Sequence, residues 1–450
     1  MAKTNLMRSV SGIRGIVGDA LTPEVAARYA AAFGTYIKGG RVIIGGDARP
    51  TGPIIKAAAT AGFRSVGCDV IDIGLSPTPT IGLAVDYLKA KAGCAITASH
   101  NPIEWNALKI LGGAKRPFSA KGIEKVFAIA DAGRMAYVGW RGIGSFEVGY
   151  HLWEYHLDRV LKLRLVSRRR IAQRKFKVVI DAVNGAGSLL GPELLRRLGC
   201  QVTELHCRPG SGRFPRRPEP TPAALAGLGR AVRHARADLG FALDPDADRL
   251  AIVDENGRPL GEEYTLALAV RWVLTKKKGP VALNMSTSQM VDDLAAEMGC
   301  RTYRSKVGEV NVTAEMKKRG AVVGGEGNGG VIFPELSYGR DAAVGMAFVL
   351  SLLAAERCPL SQVAAELPRY YPARTTRPMP KNFARHLKRF EKKFIKGKIS
   401  RLDGIKVFLP DGSLHVRASN TEPIYRVMAE AKTARRARSL LQEALAALGG

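Results

Sequence analysis

The sequence predicts an α/β protein with three similar domains, followed by a smaller α+β domain at the carboxyl end. One order of patterns carries this prediction: a short apolar strand, a helix, a strand, a helix and a third strand occur in succession three times. The second observation is a change in composition near residue 368, where prolines become frequent. The length of 450 residues also favours several domains over one.

Each copy of the repeat ends in an unusual loop, and another short apolar run follows each loop. In the first copy the predicted elements are strands at 41–45, 69–73 and 94–97 and a helix at 81–89. In the second copy they are strands at 177–181, 201–205 and 239–243 and helices at 189–198 and 225–235. In the third copy they are strands at 280–284, 301–305 and 321–324 and helices at 289–298 and 310–318. Because ligands usually bind at the carboxyl ends of such strands, we expect the three loops to face one cleft.

The carboxyl-terminal unit has a different pattern. The stretch 368–380 is predicted to be a linker, and a basic helix and several short strands follow it. The predicted elements are helices at 383–393 and 434–448 and strands at 404–409, 415–417 and 425–430. We therefore divide the chain into α/β domain I at 1–150, α/β domain II at 151–254, α/β domain III at 255–368 and α+β domain IV at 369–450.

The composition is typical of a folded chain in water, with 46% hydrophobic and 24% charged residues. The longest apolar stretch, at 342–355, is shorter than the roughly 18 residues that cross a bilayer, and it predicts a buried helix. The first twenty residues lack the apolar segment of a secretory signal, so a cytoplasmic location is expected. Six cysteines stand singly without a C-x-x-C pair, which argues against a zinc knuckle or a disulfide framework.

A large positive charge narrows the class of partner. Lysine and arginine outnumber aspartate and glutamate by 69 to 40, and the resulting charge of +29 attracts anions such as nucleic acid or a phosphorylated substrate. Aromatic residues, on which a base-stacking surface depends, are only 7% of the chain, and the basic stretches 162–177 and 381–401 are interpreted as solvated basic faces. A nucleic-acid-binding function is therefore disfavoured, although the charge by itself leaves it open.

Three aspartates follow the last strand of the second copy at alternate positions: Asp244, Asp246 and Asp248. Carboxylate oxygens at this spacing suit Mg²⁺, and a cation would relieve their mutual repulsion. A calcium EF-hand is rejected because Arg249 occupies the position where that loop needs glycine. Two alternatives stay open at this point: an ordinary aspartate-rich turn, and a phosphatase in which Asp244 is the nucleophile.

The loop of the first copy contains a candidate nucleophile. Ser99 follows a predicted buried strand and precedes His100, Asn101 and Pro102, whose ring fixes the turn and leaves the hydroxyl exposed. Lys109, ten residues on, would bring an ammonium back to the same cleft. A serine hydrolase is disfavoured because the G-x-S-x-G pattern is missing around Ser99. The alternative is that Ser99 only caps a turn.

Two further loops carry ligand-binding groups. The glycine-rich loop 325–330 permits close approach of the backbone to a ligand, and its Glu326 and Asn328 suit sugar hydroxyls. The segment RASNTEP offers a guanidinium, hydroxyls and an amide that suit a phosphate dianion. These groups belong to Arg417, Ser419, Asn420 and Thr421. A plain turn and a turn cap are the alternatives for these two loops.

Taken together, these loops resemble those of the α-D-phosphohexomutase superfamily. Four separated motifs in family order carry the resemblance, ITASHNP, DPDADR, GEGNGG and RASNTEP, with SGIRGIVG near the amino end. The resemblance spans nearly the whole chain, and the motif set is most similar to the phosphoglucosamine mutase branch. It implies a four-domain, heart-shaped isomerase that interconverts hexose 6-phosphate and hexose 1-phosphate. Glucosamine phosphate is the leading substrate, and phosphomannomutase/phosphoglucomutase activity is the alternative.

The resemblance also implies roles for individual residues. Ser99 is similar to the serine that carries the phosphoryl group, and one Mg²⁺ per chain would be held by Ser99, Asp244, Asp246 and Asp248. The residues matching the phosphoryl-transfer site are Arg14, His100, Lys109 and Arg249, with Lys109 as the proton-transfer group. Those matching substrate-binding positions are Lys306, Glu326, Asn328, Arg417, Ser419, Asn420, Thr421 and Arg426. A hexose bisphosphate is implied as intermediate and activator. The implied partner is a phosphorylated hexose, without a membrane, and the implied assembly is a monomer or homodimer.

Three positions depart from common patterns of the superfamily. Glu309 stands where some phosphomannomutases have histidine, Ala107 replaces a frequent glycine, and Asn328 replaces the serine of many bacterial relatives. These differences leave the expected chemistry intact, but they leave the preferred sugar open.

Overall fold

Three of the four sheets repeat one strand order, and this repetition places the candidate loops. The computed structural model describes residues 6–115, 118–149, 152–419 and 424–449. In each repeat the first strand lies between the second and the third, all three run parallel, and a fourth strand returns antiparallel beside the third. The predicted fold class, three similar α/β units followed by an α+β unit, is confirmed.

The first sheet is the largest, because a hairpin and an extra edge strand extend the repeat. Its strands are β1 (Met7–Ser9), β2 (Gly12–Ile16), β3 (Val42–Gly46), β4 (Val70–Leu75), β5 (Ala92–Ile96), β6 (Trp105–Leu111) and β7 (Phe146–Val148). The helices of this domain are α1 (Pro23–Tyr36), α2 (Gly52–Arg64), α3 (Thr78–Tyr87) and α4 (Ala120–Asp131). The strand order is β1-β2-β6-β5-β3-β4-β7. Arg14 on β2 therefore lies beside Ala107 on β6, close to the loop that carries Ser99.

The second and third domains contain four-stranded sheets of the same topology. The strands are β8 (Lys177–Asp181), β9 (Gln201–Leu205), β10 (Leu239–Leu243) and β11 (Leu250–Asp254) in the second, and β12 (Val281–Asn284), β13 (Thr302–Ser305), β14 (Val323–Glu326) and β15 (Gly330–Ile332) in the third. The helices are α5 (Leu152–Leu161), α6 (Arg168–Arg174), α7 (Gly187–Arg197) and α8 (Ala226–His234), then α9 (Glu262–Lys276), α10 (Met290–Glu297), α11 (Glu309–Arg319), α12 (Ala342–Glu356) and α13 (Leu360–Ala365).

The candidate loops occupy equivalent positions in the three repeats. Ser99 lies between β5 and β6, and the three aspartates lie between β10 and β11. The glycine-rich loop joins β14 to β15. Each loop thus joins the third strand of its repeat to the returning strand, at the carboxyl edge of the parallel strands, where ligands bind in open α/β sheets.

The fourth domain is an antiparallel sheet covered by two helices, and it corrects one prediction. Its elements are β16 (Tyr371–Pro378), α14 (Phe383–Lys393), β17 (Lys398–Ser400), β18 (Ile405–Leu409), β19 (Gly412–Ala418), β20 (Ile424–Ala431) and α15 (Ala434–Leu448). The prediction of a linker at 368–380 is wrong over β16, which pairs with β20 along eight residues. Its prolines are tolerated because β16 is an edge strand with only one hydrogen-bonded neighbour.

The largest apolar core lies between the second and third domains and is built around α12. Nearly every side chain of α12 is buried, which confirms the predicted buried helix. Asp341 caps its first turn by accepting hydrogen bonds from the backbone N–H groups of Ala343 and Val344. The six cysteines are free thiols, as expected. Among the described residues, no helix combines the length and apolarity needed to span a bilayer.

A buried histidine connects three parts of the chain behind the candidate site. His156 on α5 is 0% exposed; its Nε2 lies 2.8 Å from Asp341 Oδ2, and its Nδ1 lies 2.8 Å from the hydroxyl of Thr80 on α3. Because the Asp341 carboxylate can only accept, Nε2 carries a proton. The first domain is thus tied through α5 to the start of α12 in the third.

Replacement of this histidine is expected to destabilise the fold. His156→Ala should lower the free energy of unfolding by about 2–4 kcal/mol, because it opens a cavity and leaves buried polar partners without hydrogen bonds. Urea unfolding followed by circular dichroism measures the loss. His234→Ala, on the exposed end of α8, is the matched control and should change stability by less than about 0.5 kcal/mol. A loss for His156→Ala no larger than that of the control would contradict the assigned role.

Candidate active site

Loops from the first three domains meet at one cluster of carboxylates. Ser99 Oγ donates a hydrogen bond to Asp244 Oδ2 at 2.7 Å, and Lys109 Nζ donates to Asp246 Oδ2 at 2.5 Å. Arg340 Nη2, from the third domain, donates to Asp248 Oδ2 at 2.6 Å. The expectation that the loops face a shared cleft is therefore met for the first and second repeats by direct contact, and the third contributes through Arg340.

Ser99 has an unusual backbone conformation that presents its hydroxyl to the aspartates. Its φ is +51°, in the left-handed region that side chains other than glycine rarely adopt. The side chain of Thr97 accepts the Ser99 N–H at 2.9 Å, and this contact helps to hold the strained turn. Such strain persists only where the surroundings over-determine the conformation, and it is concentrated at functional sites.

A buried arginine holds the Ser99 loop from behind. Arg49 is 1% exposed and donates hydrogen bonds to four backbone carbonyls of the loop. The acceptors are the carbonyl oxygens of Ser99, Asn101, Pro102 and Trp105. Its Nε donates to Asp47 Oδ2 at 3.0 Å, so the guanidinium is itself fixed in orientation. Sequence reasoning missed Arg49; the alternation of Asp47 and Arg49 directly after a buried strand is the signal that was available.

The three aspartates fit a divalent cation. They are fully buried, and one oxygen atom of each lies within 4.8 Å of the others. Asp246 Oδ1 and Asp248 Oδ1 are buried and have no hydrogen-bond partner among the described residues. Buried carboxylate oxygens without hydrogen-bond donors are costly, and hard oxygen ligands of this kind suit Mg²⁺. The residues present therefore fit the metal that the sequence predicts.

The protonation of the cluster follows from its surroundings. Burial, together with the negative charges of Asp246 and Asp248, raises the pKa of Asp244. Burial would also raise the pKa of Asp246, but Lys109 and the Thr78 hydroxyl lower it overall. Desolvation opposes the charge of Lys109, yet the two neighbouring aspartates raise its pKa, so it remains an ammonium. The cluster thus combines buried negative charge with a cation from another domain.

The predicted catalytic residues are brought together around Ser99. The cleft is lined by Ser99, His100, Lys109, Arg14 and Arg249. His100 Nδ1 lies 3.4 Å from Ser99 Oγ. Burial and the surrounding cations lower the pKa of His100, so its imidazole is neutral at neutral pH. The cleft therefore offers a nucleophile, a neutral imidazole and several cations within a small volume.

The glycine-rich loop lies where its backbone is tightly enclosed. Gly329 has a φ of +87°, and a Cβ there would lie 2.2 Å from the carbonyl oxygen of Leu250 in the second domain. Glu326 is 3% exposed; its Oε1 accepts from Asn284 Nδ2 at 2.7 Å, and its Oε2 is paired with Arg340. Arg340 and Asn284 lower the pKa of Glu326 against the effect of burial. Asn328 Oδ1 accepts the N–H of Gly330 at 3.3 Å.

The predicted phosphate-binding residues lie in the fourth domain. Arg417 on β19 pairs in register with Arg426 on β20, so two cationic side chains lie on one face of the sheet. Arg417 Nη1 donates to Asp403 Oδ2 at 3.2 Å, and Ser419 N–H donates to the carbonyl of Ile424. Asn420 and Thr421 lie outside the described residues. Lys306 is exposed beside Val307, whose N–H donates to Asp403.

Arg340 is the second site residue that sequence reasoning missed. Its guanidinium contacts Asp248 and Glu326, and its Nε lies 3.1 Å from Glu309 Oε2. Burial opposes its charge, but these three carboxylates together raise its pKa. The only local signal is its position directly before the capping aspartate of α12, which identifies a helix start and not a site.

Comparison with known proteins gives the same assignment along the whole chain. Four sequence families match in succession: Phosphoglucomutase/phosphomannomutase, alpha/beta/alpha domain I at residues 6–136, domain II at 154–257, domain III at 261–371, and the C-terminal domain at 371–447. A probable phosphoglucosamine mutase of Methanopyrus kandleri is 39% identical over 438 residues, covering 96% of this chain and 95% of that protein. A phosphoglucomutase/phosphomannomutase of Thermococcus kodakarensis is 39% identical over 446 residues and 96% of both chains.

A solved structure agrees with the described fold. The crystal structure of a phosphoglucomutase/phosphomannomutase family protein from Burkholderia thailandensis superimposes with a TM-score of 0.84 at 26% identity, covering 98% of each chain. The four family matches, the two relatives and this fold leave one assignment. The chain belongs to the phosphoglucomutase/phosphomannomutase family of the α-D-phosphohexomutase superfamily.

Proposed function

We propose that this protein is a phosphohexose mutase that interconverts hexose 6-phosphate and hexose 1-phosphate through a phosphoserine at Ser99. The observation that carries the proposal is the contact of 2.7 Å between Ser99 Oγ and the aspartate cluster, in a cleft lined by cationic side chains. Phosphoryl transfer needs positioning and charge neutralisation more than covalent help from the protein. The names of the relatives agree with this reaction class.

In the proposed reaction, phospho-Ser99 gives its phosphoryl group to the free hydroxyl of a hexose monophosphate. The bond from phosphorus to Ser99 Oγ breaks as the bond to the sugar oxygen forms, which yields a hexose bisphosphate. The neutral imidazole of His100 accepts the proton of the sugar hydroxyl, and the Lys109 ammonium returns a proton to Ser99 Oγ. The bisphosphate then presents its other phosphate to Ser99, and the reverse transfer restores the phosphoserine and releases the isomer.

The metal and the cationic side chains have separate tasks in this proposal. Asp244, Asp246 and Asp248, with an oxygen of Ser99, would hold one Mg²⁺ per chain. When bound, the metal neutralises charge on the phosphoryl oxygens. Arg14 and Arg249 line the cleft beside Ser99 and bind the same oxygens. Both oxygens of Asp244 already accept hydrogen bonds, from Ser99 on one side and from two backbone N–H groups on the other, which favours Ser99 over Asp244 as the nucleophile.

The phosphate that does not react needs a second site, and the fourth domain offers one. Arg417 and Arg426 are cross-strand neighbours on one face of the sheet, and guanidinium groups side by side suit the oxygens of a phosphate. Ser419, Asn420 and Thr421 follow in the adjoining loop and complete the proposed site. On this proposal the partner is a phosphorylated hexose, nucleic acid has no part in the activity, and the chain acts as a monomer or homodimer.

Removal of the nucleophile is expected to abolish the reaction. Ser99→Ala should reduce mutase activity to background, even with a hexose bisphosphate supplied, because no oxygen remains to carry the phosphoryl group. A coupled assay measures turnover, and mass spectrometry of peptides locates the phosphate on Ser99 in the wild type. Ser439→Ala, on the exposed face of α15, is the control and should keep full activity. Full activity of Ser99→Ala would rule out the phosphoserine mechanism.

The contacts of Arg49 predict that a substitution by lysine lowers kcat strongly, although the positive charge is kept. Arg49→Lys keeps the positive charge but loses the planar fork that reaches several carbonyls, so the Ser99 loop should shift. A displacement of about 1 Å at a reacting group costs roughly 10²-fold in rate, and kcat should fall by about that factor. Steady-state kinetics and a thermal unfolding curve measure both effects. Arg41→Lys, which loses one exposed contact to Leu88, is the control; an unchanged kcat for Arg49→Lys would contradict the positioning role.

We further propose glucosamine phosphate as the preferred substrate. The two relatives at 39% identity carry different sugar names, so overall similarity leaves the choice to the site. Glu309 and Glu326 both contact the guanidinium of Arg340 beside the glycine-rich loop, and carboxylates at this place suit a sugar ammonium. Burial raises the pKa of Glu309 to about 7, and a bound ammonium would keep this carboxylate ionised.

This preference predicts a rate difference among three sugars. On one preparation, kcat/KM for glucosamine 6-phosphate should exceed that for glucose 6-phosphate and mannose 6-phosphate by about tenfold or more, because the neutral hydroxyl of those sugars cannot neutralise the carboxylates. Each assay contains the matching bisphosphate so that activation does not differ. A preference for mannose 6-phosphate would refute the choice of sugar and leave the mutase reaction standing.

A further inference from the structure

Arg340 occupies a fixed position between the two halves of the candidate site, which are the aspartate cluster on one side and the glycine-rich loop on the other. Its backbone bridges to Ile332 at the end of β15, and the next residue, Asp341, caps α12 and is held by His156. The side chain is 12% exposed and lies in the cleft. Its place is therefore set by the sheet and the helix on either side, and the guanidinium has little freedom to move.

The guanidinium divides its contacts between Asp248 of the metal-binding cluster and two carboxylates on the sugar side, Glu326 and Glu309. Nη2 donates to Asp248 Oδ2 at 2.6 Å, and Nη1 pairs with Glu326 Oε2. The other oxygen of Glu326 is held by the side chain of Asn284 and by the N–H of Gly308. Each Glu326 oxygen thus has its own donor, and removal of Arg340 would free only Oε2.

The charge of Arg340 has opposite consequences for the two halves. A positive charge bonded to Asp248 repels a divalent cation at the aspartate cluster and competes for one of its oxygens. The same charge keeps Glu326 ionised and oriented, which a sugar hydroxyl or ammonium requires of its acceptor. A residue that only stabilised the fold would affect both halves in the same direction.

We propose that Arg340 is a positioning residue that orients Glu326 for the sugar and at the same time weakens divalent-cation binding at Asp248. The inference rests on the proposed function, because it assigns Glu326 to the sugar and Asp248 to the metal. Arg340 acts through the carboxylates that it contacts and takes no part in phosphoryl transfer itself. Metal affinity is in this way held below the value that the three aspartates alone would give.

The test measures metal binding and sugar binding separately in Arg340→Met. Titration calorimetry with Mn²⁺, in the absence of sugar, should show about tenfold tighter binding than in the wild type, because one repelling charge is gone. The KM for hexose 6-phosphate should rise by about 10- to 100-fold, the usual effect of losing a hydrogen bond to a charged group. Unchanged or weaker Mn²⁺ binding, or an unchanged KM, would overturn the proposal.

Two further variants distinguish an effect of the charge of Arg340 from an effect of its geometry and from a folding defect. Arg340→Lys keeps the charge but has no planar fork to join Asp248 to Glu326, so Mn²⁺ affinity should stay within about twofold of the wild type while KM rises. Tightened Mn²⁺ binding in this variant would refute the charge argument, and its data decide the matter if Arg340→Met does not fold. Arg319→Met, which removes an exposed ion pair with Glu315 on α11, is the control and should change neither constant.

Failure of the inference and failure of the proposed function give different results. If the wild type showed no mutase turnover, or if Asp246→Asn left Mn²⁺ binding unchanged, the assigned site would be wrong regardless of Arg340. If the wild type turned over and bound Mn²⁺ at the aspartates, but Arg340→Met loosened both ligands together, only the inference about Arg340 would fall.

Discussion

The mutual repulsion of three buried aspartates is the constraint on which the site depends. Carboxylates that lie this close together and are buried from solvent cannot all remain ionised without hydrogen-bond donors or cations around them. The first domain supplies the Ser99 hydroxyl and the Lys109 ammonium, and the third domain supplies Arg340. Backbone N–H groups of the aspartate loop itself also donate to the cluster. The aspartate loop is therefore stabilised by contacts from neighbouring domains, and these contacts join the separate sheets around the cleft.

The same principle operates away from the cleft. Arg49 is a buried cation whose donors are satisfied by the carbonyls of the Ser99 loop, and His156 is a buried imidazole satisfied from the first and third domains. Buried polar groups need partners, and partners supplied by distant segments fix the relative positions of those segments. The rigidity of the site thus comes from polar contacts that surround it as much as from the apolar cores of the sheets.

The sequence was sufficient to predict the repeat and the position of the first three loops within it, whereas Asn420 and Thr421 of the fourth loop lie outside the described residues. Strand and helix periodicities are local, so the helix at 434–448 and the strands at 177–181, 201–205 and 239–243 were placed without error. Arg49 and Arg340 were missed, because the contacts that bring them to the site include residues 50 and 92 positions away, Ser99 and Asp248. The prolines near β16 indicated a linker, because pattern alone does not reveal that a strand lies at an edge.

The assignment of β16 to the fourth sheet limits how that domain can reorient. Because β16 pairs with β20 along eight residues, it is a rigid part of the fourth domain. The covalent path back to the third domain is then only the short segment between α13 and β16, where Tyr370 donates to Asp293. If the fourth domain rotates, it does so as a rigid body about these few backbone torsions. The arginine pair of β19 and β20 moves with it.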